Sequence, residues 1–428
     1  MTEKEFSFKY GQSYQKIFIK NEVEILTRNE KNGIELKNIL KSLDNPVYSP
    51  PLKDIITGKG DVIIIVSDIT RKTGVHIYLP SLIERLEKCG TKEDDISIIF
   101  AGGTHRVLNK TEKKQIVGEK IFNRIRLLNH DAFASDSLVS YGYTKKGTPI
   151  MINKHVAKVK HIILTGSVVF HYLAGFGGGR KSIAPGISGF DTVVSTHLMA
   201  LSKEIGKGRA NNIRSGVLKN NPIHNEMIEI MNKVKPCFLI NTVLNSKHEI
   251  IKLVAGNPHK AHLNLCHFFK ENYSLLVNKL YDVVIAGCGG YPKDINFIQA
   301  HKTIDNAFYA VKEGGTLIIL GECTQGVSSD EFLSWLKFGD LAEMEAELHK
   351  NFAIYGQTAW ATLCKSCKIN IIFVSTLPEK IVKSMKMIPA STLEHALDIA
   401  LKKYNKNCSI AMIPEGSLFL PVFTPQKI

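Results

Sequence analysis

Cysteine is scarce in this chain: 8 residues among 428, too few for the disulfide framework of a small secreted domain. Long apolar runs are missing as well. Strand-like stretches such as Val62–Val66 reach five or six residues, far short of the ~20 that cross a bilayer. The segment Met1–Lys9 has no apolar stretch of the kind found in secretory signals, so a cytoplasmic protein without a membrane partner is expected. Acidic residues are in deficit, 40 Asp+Glu against 55 Lys+Arg for a net charge of +15. The lysines are scattered, as in Lys110, Lys113, Lys114, Lys120, Lys145 and Lys146, with no aromatic platform or recognised module among them. That pattern argues against nucleic acid and suits attraction of small anions. No low-complexity linker separates the two or three domains that the length implies, so they are expected to pack closely.

What is present is a repeating unit: a β-branched run, a Gly-rich or polar loop, then a helical pattern. Val62–Val66 leads into Ser67-Asp68-Ile69-Thr70-Arg71, and Ile96–Phe100 into Gly102-Gly103-Thr104-His105-Arg106. His161–Leu164 leads to His171 and the cluster Gly175–Gly179; Val283–Ala286 and Leu317–Leu320 open further units. Leu79, Leu82, Ile83 and Leu86 recur at helical spacing and stop before Gly90, as a helix with a C-terminal glycine does. Ser391-Thr392-Leu393-Glu394 has the form of a capping box. Strands alternating with helices predict an α/β fold: two domains with largely parallel sheets flanked by helices. The predicted divisions are 1–275, 276–400 and a tail, 401–428, that returns to the N-terminal domain.

Ligands of open α/β sheets bind at the carboxyl ends of the strands, and the unusual polar residues all fall there. Asp68 and Arg71 follow one strand, His105 and Arg106 another, His171 a third. In 171–186, five glycines surround Arg180-Lys181-Ser182 and would form a backbone cradle for an anion. The run is neither a P-loop, because Arg180 stands where that loop needs glycine, nor a dinucleotide fingerprint. His105, His171, Lys181 and His197 together suggest a site with two histidines as opposed acid and base. A third could ligate a borderline metal such as nickel. Gln299 and Lys302 are three apart, hence on one helix face: an anion clamp or a solvated surface. Cys364-x-x-Cys367 is a lone pair of cysteines with weak claim to zinc or redox chemistry. Taken alone, the residues leave open a non-catalytic nucleotide- or phosphate-binding protein and an NAD-dependent 2-hydroxy acid dehydrogenase.

These motifs together resemble the nickel-dependent lactate racemase family, over most of the chain. The resemblance is carried by Ser67–Arg71, Gly103–Arg106, His171 with 178–186, Thr196-His197, and Gly289-Gly290-Tyr291-Pro292-x-Asp294 with Gln299 and Lys302. It implies a racemase or epimerase of lactate or a related 2-hydroxy acid, working by reversible hydride transfer through a 2-keto acid, with the active site in the interdomain cleft. The implied cofactor is a nickel-pincer nucleotide (pyridinium-3,5-bisthiocarboxylic acid mononucleotide) that binds nickel through sulfur, carbon and sulfur. By resemblance Lys181 tethers this cofactor, His197 ligates nickel, and Thr70, Gly177, Gly178, Gly179 and Arg180 help to bind it. His105 and His171 become the acid/base pair. Asp68, Arg71, Gln299, Lys302 and Trp360 fall to the substrate. Implied partners are the hydroxy acid and the enzymes that make the cofactor; the oligomeric state is left open. One departure stands out: Lys72-Thr73-Gly74 follows Arg71 where many members have prolines. Lys72 either reads a second anionic group on the substrate or is a solvated lysine.

Overall fold

The computed structural model of the chain describes residues 3–57, 60–210, 212–404 and 408–424. The chain forms two compact units. The mid-chain unit comprises Glu30–Met199 and Asn212–Asn272; the terminal unit comprises Met1–Asn29, Ala200–Asn211 and Tyr273–Ile428.

The mid-chain unit is built on a six-stranded sheet in the order 250–256, 238–244, 161–167, 62–67, 96–101, 126–129. All its pairings are parallel except that of the edge strand Ile250–Gly256. Val62–Val66 occupies the middle of the sheet and is fully buried. An unbroken β-branched run is what a strand covered on both faces requires, and each such side chain contributes about 1.5–3 kcal/mol through burial. The helix Val75–Lys88 covers one face with Leu79, Leu82, Ile83 and Leu86. Gly90 follows it at φ 89°, the left-handed stop that the sequence predicted.

The terminal unit holds a second six-stranded sheet, wholly parallel, in the order 388–390, 370–374, 311–320, 281–287, 410–413, 23–25. The hairpin Lys4–Tyr10/Ser13–Ile19 lays Phe8, Tyr10, Ile17 and Ile19 onto its core while Tyr14 and Phe18 face outward. Among the described residues no helix is long and apolar enough to cross a membrane.

The divisions differ from those read in the sequence. Residues 1–29 and 200–211 belong to the terminal unit, and the later crossing falls at Asn272/Tyr273. The tail stays with the terminal unit: Ile410–Ile413 lies between Tyr281–Gly287 and Val23–Ile25, and Leu420–Phe423 pairs with Ser274–Val277. A four-residue apolar strand suits an interior sheet position, but nothing local names its neighbours. Residues 405–407 and 425–428 of that tail lie outside the described residues. The helix Leu393–Leu401 forms as expected, yet its cap is Thr392, whose hydroxyl accepts from the His395 N–H at 3.1 Å. The cap anticipated at Ser391 therefore falls one residue later, with His395 and not Glu394 at the third helical position.

Candidate active site

Three adjacent parallel strands of the mid-chain unit, Val62–Ser67, Ile96–Ala101 and His161–Ser167, end in the loops that carry the candidate residues. Asp68 begins the first loop and is buried. Its Oδ1 accepts from the Thr70 hydroxyl at 2.7 Å and the Thr70 N–H at 3.2 Å, a turn that aims the carboxylate. Its Oδ2 lies 2.5 Å from Nδ1 of His105, the loop histidine of the second strand. Burial pushes the Asp68 pKa up, but the hydrogen bond and charge of His105, the Thr70 hydroxyl and Arg71 outweigh it and leave it lowered. Asp68 is thus an acceptor, His105 donates from Nδ1, and the His105 Nε2 lone pair is left for chemistry. Thr70, expected at the cofactor, acts here on Asp68.

The third loop carries His171 and Lys181. The His171 Nδ1 accepts two backbone N–H bonds, from Leu173 at 3.2 Å and Ala174 at 3.1 Å, and the ring stacks on Tyr172 with centroids 5.3 Å apart. Its Nε2 is 3.2 Å from the Lys181 amine. Burial, then the charges of Lys181, Arg71, His197 and Arg180, holds the His171 pKa well below its ordinary value. Burial, Arg71 and Arg180 do the same to Lys181. No carboxylate is among the groups that act on either one. A half-buried amine so placed gives up its proton more readily than an exposed lysine does.

His197 sits near the end of the helix Phe190–Leu198. Burial and the Lys181 charge bring its pKa down to about 4, against a smaller opposing effect from the Val193 carbonyl. Its Nδ1 donates to that carbonyl at 2.8 Å, which puts the lone pair on Nε2, the ligating form of imidazole. Among the described residues no three His, Cys, Asp or Glu side chains gather where they could hold a metal. A bare ion would find too few donors here. A metal arriving with its own donor atoms needs one imidazole and an attachment point, and His197 and Lys181 are suited to those two roles.

The glycine cluster does something other than expected. The N–H groups of Gly177, Gly179 and Lys181 are taken by the Val169 carbonyl, Asn241 Oδ1 and the Gly178 carbonyl. The anion cradle read from Gly177–Gly179 is therefore not built from these donors. The glycines are demanded by packing: a Cβ on Gly178 (φ 73°) would lie 2.6 Å from Asn241, and one on Gly179 (φ 55°) would lie 2.5 Å from His262. Arg180, also expected at the cofactor, is fully buried. Its guanidinium donates to the Ala174 carbonyl and to His262 Nε2, each at 2.6 Å, closing the loop on itself. Asn241 and His262 are thus functional supports that sequence reasoning missed. The one signal was an asparagine inside the apolar strand Phe238–Leu244.

Gln299 and Lys302 lie in the terminal unit on the helix Phe297–Ala307, one face apart as predicted, and the Lys302 amine donates to Gln299 at 2.5 Å. Trp360, assigned to the substrate by resemblance, is fully buried and donates its indole N–H to Glu345 at 2.8 Å. In this structure it serves packing and offers no face to a ligand. Cys364 and Cys367 are free thiols, and burial pushes Cys364 up to about 11.

A carboxylate-backed histidine and a second histidine beside a half-buried lysine, at strand ends of one parallel sheet, form an arrangement suited to acid–base chemistry in an α/β protein. Family comparison agrees: residues 10–208 match the lactate racemase N-terminal domain and residues 277–420 the lactate racemase C-terminal domain. The chain is 33% identical over 386 residues to the lactate racemase of Thermoanaerobacterium thermosaccharolyticum, covering 88% of each. It is 32% identical to that of Lactiplantibacillus plantarum over 390 residues, covering 89% of this chain and 90% of the relative. The structure of the T. thermosaccharolyticum lactate racemase apoprotein superposes with a TM-score of 0.89 at 31% identity, covering 98% of this chain and all of that one. The chain belongs to the lactate racemase family and is an isomerase.

Proposed function

We propose that this enzyme racemises or epimerises a 2-hydroxy acid, lactate or a close relative, in the loops at the carboxyl ends of the mid-chain sheet. The observation that carries the reading is the pair His105 and His171, each held by partners of its own and both lying between Arg71 and Lys181 in the sequence. Racemisation removes and restores a proton on the hydroxyl while the carbon passes through a planar carbonyl form. One histidine takes the hydroxyl proton as the 2-keto acid forms, and the other returns a proton as the alcohol re-forms on the opposite face. Each transfer contributes about 10²–10⁴-fold. Asp68 holds His105 in the tautomer that presents Nε2 and stabilises its imidazolium once the proton arrives, the service a buried carboxylate gives a catalytic histidine. Arg71, whose charge reaches both His171 and Lys181, supplies the planar fork that binds the substrate carboxylate.

A nickel-pincer nucleotide suits the residues described: Lys181 would attach it and His197 would complete the metal's coordination. When bound, such a group supplies reversible hydride acceptance from the substrate carbon, leaving the protein to bind, orient and move protons. The reading is tested by co-expression with the cofactor-making enzymes, followed by turnover of single enantiomers of 2-hydroxy acids. Interconversion of the enantiomers with nickel retained supports it; holoprotein without nickel, or without interconversion of any 2-hydroxy acid, defeats it.

A further inference from the structure

The two histidines are held in opposite tautomers. His105 gives its Nδ1 proton to Asp68 and presents an Nε2 lone pair. His171 is the reverse. Its Nδ1 lone pair receives the N–H groups of Leu173 and Ala174, so the proton of the neutral ring must sit on Nε2. Rotating the ring by half a turn would replace Nδ1 with a carbon and orphan both backbone donors, and Tyr172 stacks against its face. The Nε2–H therefore points at the Lys181 amine, 3.2 Å away. Only a nitrogen lone pair can accept it. Lys181 takes part in this bond as a free amine.

We propose that this contact is a latch that distinguishes the unloaded enzyme from the loaded one. While Lys181 is a free amine, it accepts the Nε2–H of His171 and occupies that ring's one outward-facing group. Once Nζ is joined to an acyl-type carbon, one amine proton and the acyl group's hydroxide or hydrosulfide leaving together as water or hydrogen sulfide, it becomes an amide-like nitrogen, whose lone pair is delocalised and which is itself a donor. Two donors then face each other and the bond is lost. His171 is released to the substrate only when the attachment that makes catalysis feasible is in place. The inference rests on the tether reading of Lys181, and it gives His171 a role before turnover as well as during it.

The test uses the full-length, cofactor-free chain with ¹⁵N-labelled histidine, read by long-range proton–nitrogen NMR of the imidazoles. In the wild type His171 should show an unprotonated Nδ1 and a slowly exchanging Nε2–H, while His105 shows the opposite tautomer. Installing Nε-acetyl-lysine at position 181 during translation should abolish the slowly exchanging Nε2–H signal and leave Nδ1 unprotonated. Lys181→Leu, which removes the acceptor without adding a donor, should abolish the same signal and covers the case of an acetyl-lysine protein that does not fold. Retention of the His105 tautomer reports that the site is intact in either variant. A protonated Nδ1 on wild-type His171, or a protected Nε2–H that survives both changes, overturns the latch. Intact mass of the denatured holoprotein examines the tether separately. An unmodified Lys181 would defeat the tether while the hydrogen bond itself could still be seen.

Discussion

Each unit places a lysine beside an arginine, fully buried in one and half-buried in the other, and the two clusters are handled in opposite ways. In the terminal unit, Lys365 and Arg209 converge on Asp305, at 2.5 Å and 3.2 Å, with both members of the lysine pair 2% exposed. Burial alone would raise Asp305, yet Lys365 and Arg209 hold it far below the carboxylate range. In the mid-chain unit, Lys181 has Arg71 and Arg180 as its charged neighbours and no carboxylate among the groups that shift it. A matched buried charge is structural. An unmatched one is biased toward its neutral form, and an amine so biased is suited to serve as a reagent. The same residue types therefore mean different things, and the absence of a counter-charge is what marks the site.

The comparison can be pressed hardest at the histidines. His105→Ala and His171→Ala holoproteins should each lose net racemisation by about 10²–10⁴-fold, assayed on each pure enantiomer with nickel content checked. Racemisation near the wild-type rate in either would end the two-histidine mechanism. Stability should respond in the other unit. Asp305→Asn strands two buried cations and should cost about 3–5 kcal/mol, read as the denaturation midpoint. Lys181→Met should leave that midpoint unchanged or higher while abolishing cofactor retention. If both substitutions destabilise alike, the contrast between matched and unmatched charge is wrong.

Acid should weaken the mid-chain unit. His197 is held near 4 against 6.5 when exposed, so the unfolded chain takes up its proton first as the pH falls. Stability fully present above 6.5 is lost between there and about 4, a loss on the order of 2 kcal/mol at pH 5 from this residue. His130, lowered by burial to about 4, acts in the same direction. Urea unfolding of the cofactor-free protein at pH 7.5 and 5 measures the loss. A smaller effect is expected of Arg71→Lys, about tenfold to a hundredfold in kcat/KM, because an ammonium cannot reproduce the two-pronged carboxylate contact. The smallest belongs to Lys72→Ala. Lys72 is exposed and its charge acts on His76, not on His171 or Lys181. The change should stay within about 0.5 kcal/mol on lactate and on a dicarboxylic hydroxy acid alike; a selective loss on the dicarboxylate would restore the second-anion reading.

Much of this was legible in the sequence, because strand ends and their loops are local signals. Val62–Val66 followed by Asp68 and Arg71, and Ile96–Phe100 followed by His105, place chemistry by proximity along the chain. What escaped was whatever depends on partners far apart. Asn241 and His262 support the glycine loop from a strand and a helix that sequence cannot place beside it. Trp360 carries the composition of a binding residue, but its burial against Glu345 is a property of the folded unit. The assignment of residues 1–29 to the first domain differs for the same reason: they look like its opening until their strand partners are known.

That last strand has a consequence for how the protein is made. Val23–Ile25 pairs with Ile410–Ile413, which pairs in turn with Tyr281–Gly287. Val23–Ile25 leaves the ribosome long before the strand it pairs with. Until Ile410–Ile413 follows, at roughly 5–20 residues per second, the nascent chain carries an edge with no mate. The mid-chain unit has every strand of its main sheet between residues 62 and 256 and can close while translation continues. A ribosome stalled after residue 400 would therefore display a closed mid-chain sheet on a protein whose other sheet had yet to be completed.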